Sequence, residues 1–358
     1  MHQLSRDDAR RLAVRAQLLD AARPADVVEV AEQIGSIKID PTAVIAPAEQ
    51  TIPWSRIGWS YEPGQLTKAV EQDRLLFEYA GQFHPASVMP LHIAEMRTRR
   101  FRAKAREYLD ANADFRRDVL ARLRDAGPLA ASEIPDTSRV QGGNESGWYG
   151  SNQVPRMLEL LSYAGEVAIV GRQGRTRRWD LGERVYAGLP EVDPQEASRL
   201  LAERRLQAAG LARQGSPWTP VATAGESAVV AGSAWKWRVD PEALSSLDDD
   251  AGGRVAILNP YDGMLTDRPR LKELFEFDYI LEQFKPKGQR VYGYFAHPIL
   301  IGDRFAGLLD AEVDRKRETL RVHAVHELMP FEEEETEMVR AEIAELAEWL
   351  GVEPTGLA

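Results

Sequence analysis

Apolar and polar residues follow two different periods along this chain, and those periods predict its elements. After Ser5 and Asp8, which have the spacing of a helix capping box, apolar residues recur at helical intervals through Leu12, Leu18 and Leu19. A second short helix fits 24–34, with Pro24 in its first turn and Gly35 ending it. The run Ser36-Ile-Lys-Ile-Asp40 then switches to a period of two, the pattern of a strand, and Pro41 stops it. Residues 42–95 read as loop-rich and aromatic, and helical patterning resumes from there to about Asp125. Helix, helix and strand in that order is the skeleton of a helix-turn-helix unit whose strand has been put to another use.

Between Asp118 and Leu181 the pattern is clearest. A helix (RRDVLARLRDAG) leads to Pro128–Ser132, whose Ser132 is expected to cap a short element at Glu133 and Ile134. A helix over 152–164 carries Met157, Leu158, Leu160 and Leu161 on its apolar face, and Gly165 ends it. Two strands, EVAIVGR and TRRWDLG, then flank a turn at Gln173-Gly174. Three helices and a hairpin make the order of a winged helix, and Arg172, Arg175, Arg177 and Arg178 would hold cations at phosphate height on its wing. A helical stretch beyond Pro194 with the segments VAT and AWKWRVD suits a third, degraded copy, and Asp248–Gly253 reads as a linker. Beyond it come several strands with turns at IGDR and DRKRE, then an amphipathic acidic helix with Val339, Ile343, Leu346 and Leu350 on one face. The expected fold is α+β: tandem winged helix-turn-helix units followed by a small C-terminal antiparallel β domain. The expected boundaries are 1–115 for an N-terminal winged-helix-like unit with the candidate strand, 116–190 for the second winged helix, 191–250 for the third, 251–330 for the β domain and 331–358 for the acidic helix.

Composition adds charge and exclusions. The chain has 358 residues, 44% of them hydrophobic and 28% charged, as in folded globular domains. No apolar run approaches the ~20 residues that cross a bilayer, and the N-terminus lacks the apolar stretch of a secretion signal, so a cytoplasmic protein with no membrane partner is expected. The absence of Cys removes disulfides, thiol nucleophiles and Cys-bound zinc. The net charge of −11 is uneven: Phe331–Ala358 holds nine Glu and one Arg, which leaves residues 1–330 at −3. Basic faces are therefore permitted, and the run Arg97, Arg99, Arg100, Arg102, Lys104, Arg106 reads either as one face of a solvated helix or as a phosphate contact. GGNESGWYGS lacks the Lys of a phosphate-binding loop, and no G-x-S-x-G occurs. His323 and His326, three apart on a predicted strand, should point to opposite faces, and neither they nor His84 and His92 have metal-ligand spacing. Lys38 and Asp40, two apart on a strand, should leave one face within about 7 Å. A carboxylate kept ionised by a cation can stabilise an oxocarbenium-like sugar or orient a water, though the spacing equally suits an ordinary surface ion pair.

Lys38-Ile-Asp40-Pro41, Trp54-Ser-Arg56, Phe77-Glu-Tyr79, the wing Gly171–Leu181, Asn259-Pro-Tyr-Asp-Gly-Met-Leu-Thr-Asp-Arg268, Phe275–Tyr279 and Tyr292-Gly-Tyr294 resemble the AlkZ-like and YcaQ-like winged-helix DNA glycosylases. The resemblance runs from the first helix to about residue 328. It implies three tandem winged helices with a C-terminal β domain, and excision of alkylated purines, crosslinked ones included, from double-stranded DNA by a monomer needing no cofactor and no metal. It also implies that Asp40 stabilises the sugar cation or activates water, since the family marks this strand with Gln-x-Gln or Gln-x-Asp. Lys38 stands where that motif has Gln, and three roles are open to it: phosphate contact, tuning of Asp40, or Schiff-base attack on the sugar. Monofunctional excision is expected over a lyase. Trp54, Arg56 and His84 join the wing arginines as expected DNA contacts, although Tyr79–His84 departs from the family's more compact segment. Two other readings are a non-catalytic DNA binder, whether regulator or damage-binding protein, and a scaffold for protein contacts. N7- and N3-alkylated purines are cationic and leave without prior protonation, so one anion suffices.

Overall fold

The computed structural model describes residues 1–141, 152–249 and 252–356, and it divides into two compact units, Met1–Leu66 with Leu201–Ala358, and Thr67–Leu200. The segment GGNESGWYGS and the middle of the Asp248–Gly253 linker lie outside the described residues. No helix among the described residues is long and apolar enough to cross a membrane.

In the discontinuous unit, the helix Arg6–Ala16 starts at the expected capping box, with Ser5 and Asp8 exchanging two 3.0 Å hydrogen bonds. The next helix spans Val27–Ile34, three residues later than Pro24 suggests, because the Asp26 carboxylate caps it by accepting from the Val28 and Glu29 amides. The strand that follows is only Ile37–Lys38. The region expected to be loop contains a helix, Ala48–Ile57, which carries Pro53 inside it. His2–Leu4 pairs in parallel with Glu226–Val230, and that strand continues through Trp237–Val239 to Leu211–Arg213 as a four-stranded sheet. Leu12, Leu19, Leu211, Trp237 and Val239 share one core with Met264, Leu271, Leu274 and Phe305, so the N-terminal helix and the C-terminal sheet are buried together.

The C-terminal sheet runs Val255–Ile257, His297–Ile301, Arg304–Asp314, Thr319–Glu327 and Glu353–Thr355, antiparallel except for its last, parallel pair. A register shift in Thr319–Glu327 pairs Val322 with Ala311 but Ala324 with Asp310, leaving His323 as the extra residue. The expected opposite facing of His323 and His326 therefore fails. Both imidazoles act on Asp310, whose carboxyl burial raises and they lower. The acidic helix Glu333–Trp349 puts Glu333, Glu334 and Glu335 in its first turn, where the helix dipole favours them, and buries Val339, Ile343 and Leu346.

The second unit contains the hairpin Leu76–Tyr79 with Gln82–Pro85, the helices Met89–Thr98, Ala103–Ala111, Ala113–Ala126 and Val154–Tyr163, and the hairpin Val167–Gln173 with Thr176–Leu181. Leu129–Ala130 adds a third strand against Trp179 and Arg178. Phe115, Val119, Leu123, Met157, Leu158, Leu161 and Trp179 form its core. The short element between helices is a 3-10 turn, Ala131–Glu133, and Ser132 does not cap it: the Glu133 carboxylate accepts from the Ala130 amide at 2.7 Å.

Candidate active site

Asp40 lies just past the end of its strand, half-buried, and is tied to the start of the helix Ala48–Ile57 from both sides of its peptide. Its N–H donates to a Glu49 carboxylate oxygen at 3.1 Å and its carbonyl accepts from the Ala48 N–H at 3.3 Å. One carboxylate oxygen accepts from the Thr42 N–H at 2.9 Å in a local turn, and among the described residues the other oxygen has no partner. The expected Lys38–Asp40 ion pair is absent among the described residues. The physical reason is the two-residue strand: pairing stops at Lys38, so no ladder holds Asp40 beside it on one face, and the Asp40 carboxylate accepts from the Thr42 N–H instead. Lys38 is half-buried on that strand. Glu49, which fixes Asp40's backbone, carries no sequence signal beyond its position in a helix that the pattern conceals.

Trp54 and Arg56, expected to touch DNA, are both interior. Trp54 is 1% exposed, and its ring lies 5.8 Å from that of Trp349 on the acidic helix. Arg56 is fully buried, grips both carboxylate oxygens of Asp262, and donates from Nε to the Gln17 carbonyl at 3.1 Å. The motif Asn259–Arg268 is thereby explained as a structural clip. The Asn259 amide donates to Thr51 Oγ1 at 2.9 Å, Asp262 holds Arg56, and Asp267 accepts from Arg213 at 2.7 Å and Ser216 at 2.6 Å. Thr51 and Arg56 belong to the helix whose first turn holds Asp40, so this clip fixes the element that presents the carboxylate.

On the second unit's hairpin, Arg172 and Arg177 face each other across the strands and both bind Glu78, whose side chain is 1% exposed. Arg172 makes two 2.8 Å hydrogen bonds to it and Arg177 one of 2.7 Å. Arg178 pairs with Glu133. Of the four expected wing cations, only Arg175, exposed beside Gly174, has no partner among the described residues. His84 is 8% exposed in a cluster of rings, 4.6 Å from His92 and 5.5 Å from Phe77, so it is interior as well. The run Arg97–Arg106 is not one helical face, because Met89–Thr98 ends, Arg99–Arg102 is non-helical, and a new helix begins at Ala103. Arg97 pairs with Glu191, and Arg99 donates to the Tyr79 hydroxyl at 2.9 Å. Arg100, Arg102, Lys104 and Arg106 are exposed and have no partner among the described residues, a stronger cationic surface than the hairpin offers.

The model of the family described as DNA glycosylase AlkZ-like matches residues 31–349. Among solved structures, the chain is similar to the Streptomyces sahachiroi DNA glycosylase AlkZ, with a TM-score of 0.66 and 13% identity over 98% of each chain.

Proposed function

Given that the chain belongs to the AlkZ-like DNA glycosylase family, we propose that it hydrolyses the N-glycosidic bond of purines alkylated at N7 or N3 in double-stranded DNA, acting as a monomer with Asp40 as the catalytic carboxylate. What supports this reading is Asp40 itself: a half-exposed carboxylate on a backbone anchored at both its N–H and its carbonyl, with one oxygen unengaged among the described residues. An alkylated purine already carries the positive charge that a general acid would otherwise supply. When the C1′–N bond breaks, its electron pair neutralises the base and leaves a cationic sugar. The free carboxylate oxygen stabilises that cation and takes a proton from the water that adds to C1′. Lys38, having no ion pair with Asp40, is assigned to a backbone phosphate rather than to nucleophilic attack, so excision is monofunctional. Arg100, Arg102, Lys104, Arg106 and Arg175 supply further phosphate contacts.

The test is release of free base from DNA treated with a simple methylating agent and, separately, with a bifunctional alkylator. Free N7- or N3-alkylated purine, with no borohydride-trapped protein–DNA adduct, is expected. Unhooking of the bifunctional lesion extends the reading to crosslinks. Binding without release over hours would favour the non-catalytic DNA binder, and a trapped adduct lost in Lys38→Ala would favour the lyase.

A further inference from the structure

One large aromatic ring of the discontinuous unit is left almost wholly in solvent. Phe284 is 88% exposed, on the irregular connection between the helix Arg268–Phe275 and the strand His297–Ile301. The loop that carries it is tightly bonded. The buried Glu282 carboxylate accepts from the amides of Val291 at 2.7 Å and Tyr292 at 2.8 Å and from Lys285 Nζ at 2.8 Å. Arg290 Nε donates to the Lys285 carbonyl at 3.0 Å, and the Gln289 amide donates to the Pro286 carbonyl at 2.9 Å. A ring exposed on a slack loop would fold back onto the surface; here the backbone that carries it is stapled in place.

The loop's charge departs from that of the chain. Residues 280–294 hold Lys285, Lys287 and Arg290 against the single acid Glu282, a net of +2 in a protein of −11. Lys287 is exposed, and neither it nor Arg290 has a carboxylate partner among the described residues. The Arg290 guanidinium lies 4.9 Å over the ring of Tyr294, itself 43% exposed. An exposed apolar ring on the same bonded loop as unneutralised cations fits a polyanion with stacked rings inside it: the cations take phosphates while the ring takes the place of a base. Chemistry on a base in a duplex requires disturbing that stack, and an inserted side chain fills the gap.

We propose that Phe284 is a wedge that enters the base stack of duplex DNA, with Lys287 and Arg290 on the flanking phosphates; the choice of DNA as occupant rests on the glycosylase reading. The experiment uses the full chain and a duplex carrying 2-aminopurine, whose fluorescence rises on unstacking. Wild-type protein raises the signal. Phe284→Ala abolishes the rise and weakens duplex binding about tenfold, the size of one lost base–aromatic stack, whereas Phe284→Trp keeps both. Lys287→Ala lowers affinity and reduces the salt slope by about one. Thermal unfolding of the exposed-site variants stays at the wild-type temperature. No rise with wild type, or an equal rise with Phe284→Ala, overturns the wedge, as does loss in Phe284→Ala of binding to phosphatidylserine vesicles alone. A wedge signal that behaves as expected without release of alkylated base sinks the glycosylase reading and leaves the wedge standing.

Discussion

Arg56 carries a full charge with none of its side chain in solvent, and a charge so buried is stable only while its partner is present. Arg56→Ala therefore leaves Asp262 unpaired and is expected to cost about 3–5 kcal/mol of stability in urea unfolding. A DNA-contact role would instead leave stability unchanged and lower affinity. Glu342 shows the opposite balance. Burial pushes its carboxyl up to about 7, against the pull of Arg23 and Arg254. The native protein thus holds a proton that the unfolded chain releases near the ordinary glutamate range, so stability falls as pH rises through that window. In Glu342→Gln this fall disappears, and the stability difference from wild type shifts in favour of the variant by on the order of 2–3 kcal/mol between pH 4.5 and pH 7. An unchanged pH profile would contradict the assignment. Residue type alone gave little sign of either role: the Trp54-Ser-Arg56 sequence reads the same whether it faces a phosphate or a buried aspartate, and the partner Asp262 lies over two hundred residues away.

At the scale of elements, what the sequence reveals depends on whether a local signal exists. The capping box at Ser5 and Asp8 and the 3.6 period of Val154–Tyr163 are local, and both elements appear where they are expected. Ala48–Ile57 is hidden by Pro53, which reads as a breaker, and the hairpin at 76–85 turns through Ala80 and Gly81, both at positive φ, without the Asn-Gly or Asp-Gly signature. The candidate strand shrank to two residues because a period-2 pattern does not show where pairing stops. The same division governs the basic segments, whose composition is legible and whose partners are not. Arg172→Ala or Arg177→Ala leaves the buried Glu78 short of a cation, so either is expected to lower the unfolding temperature while changing the salt slope of DNA binding little. Arg100→Ala and Arg102→Ala are expected to keep stability and to reduce the slope of log affinity against log salt by about one each. The reverse pattern would return the phosphate contacts to the hairpin.

For the whole molecule, the first strand, His2–Leu4, is hydrogen-bonded to Glu226–Val230, and the acidic helix at the far end packs Trp349, tilted, against Trp54 and Tyr61. No local pattern announces pairings of that range. The motif Asn259–Arg268 does the same kind of work, since it bonds Thr51, Arg56, Arg213 and Ser216 and so fixes the helix to which Asp40's backbone is anchored. The proposed role of Asp40 against a damaged nucleotide is decided by timing the appearance of free methylated purine from methylated duplex DNA with wild-type protein and with Asp40→Asn. Wild type is expected to release base and the variant to do so at a rate at least about a hundredfold lower, with undamaged-duplex binding and unfolding temperature unchanged. Equal rates in the two proteins, or no release by either, would contradict it.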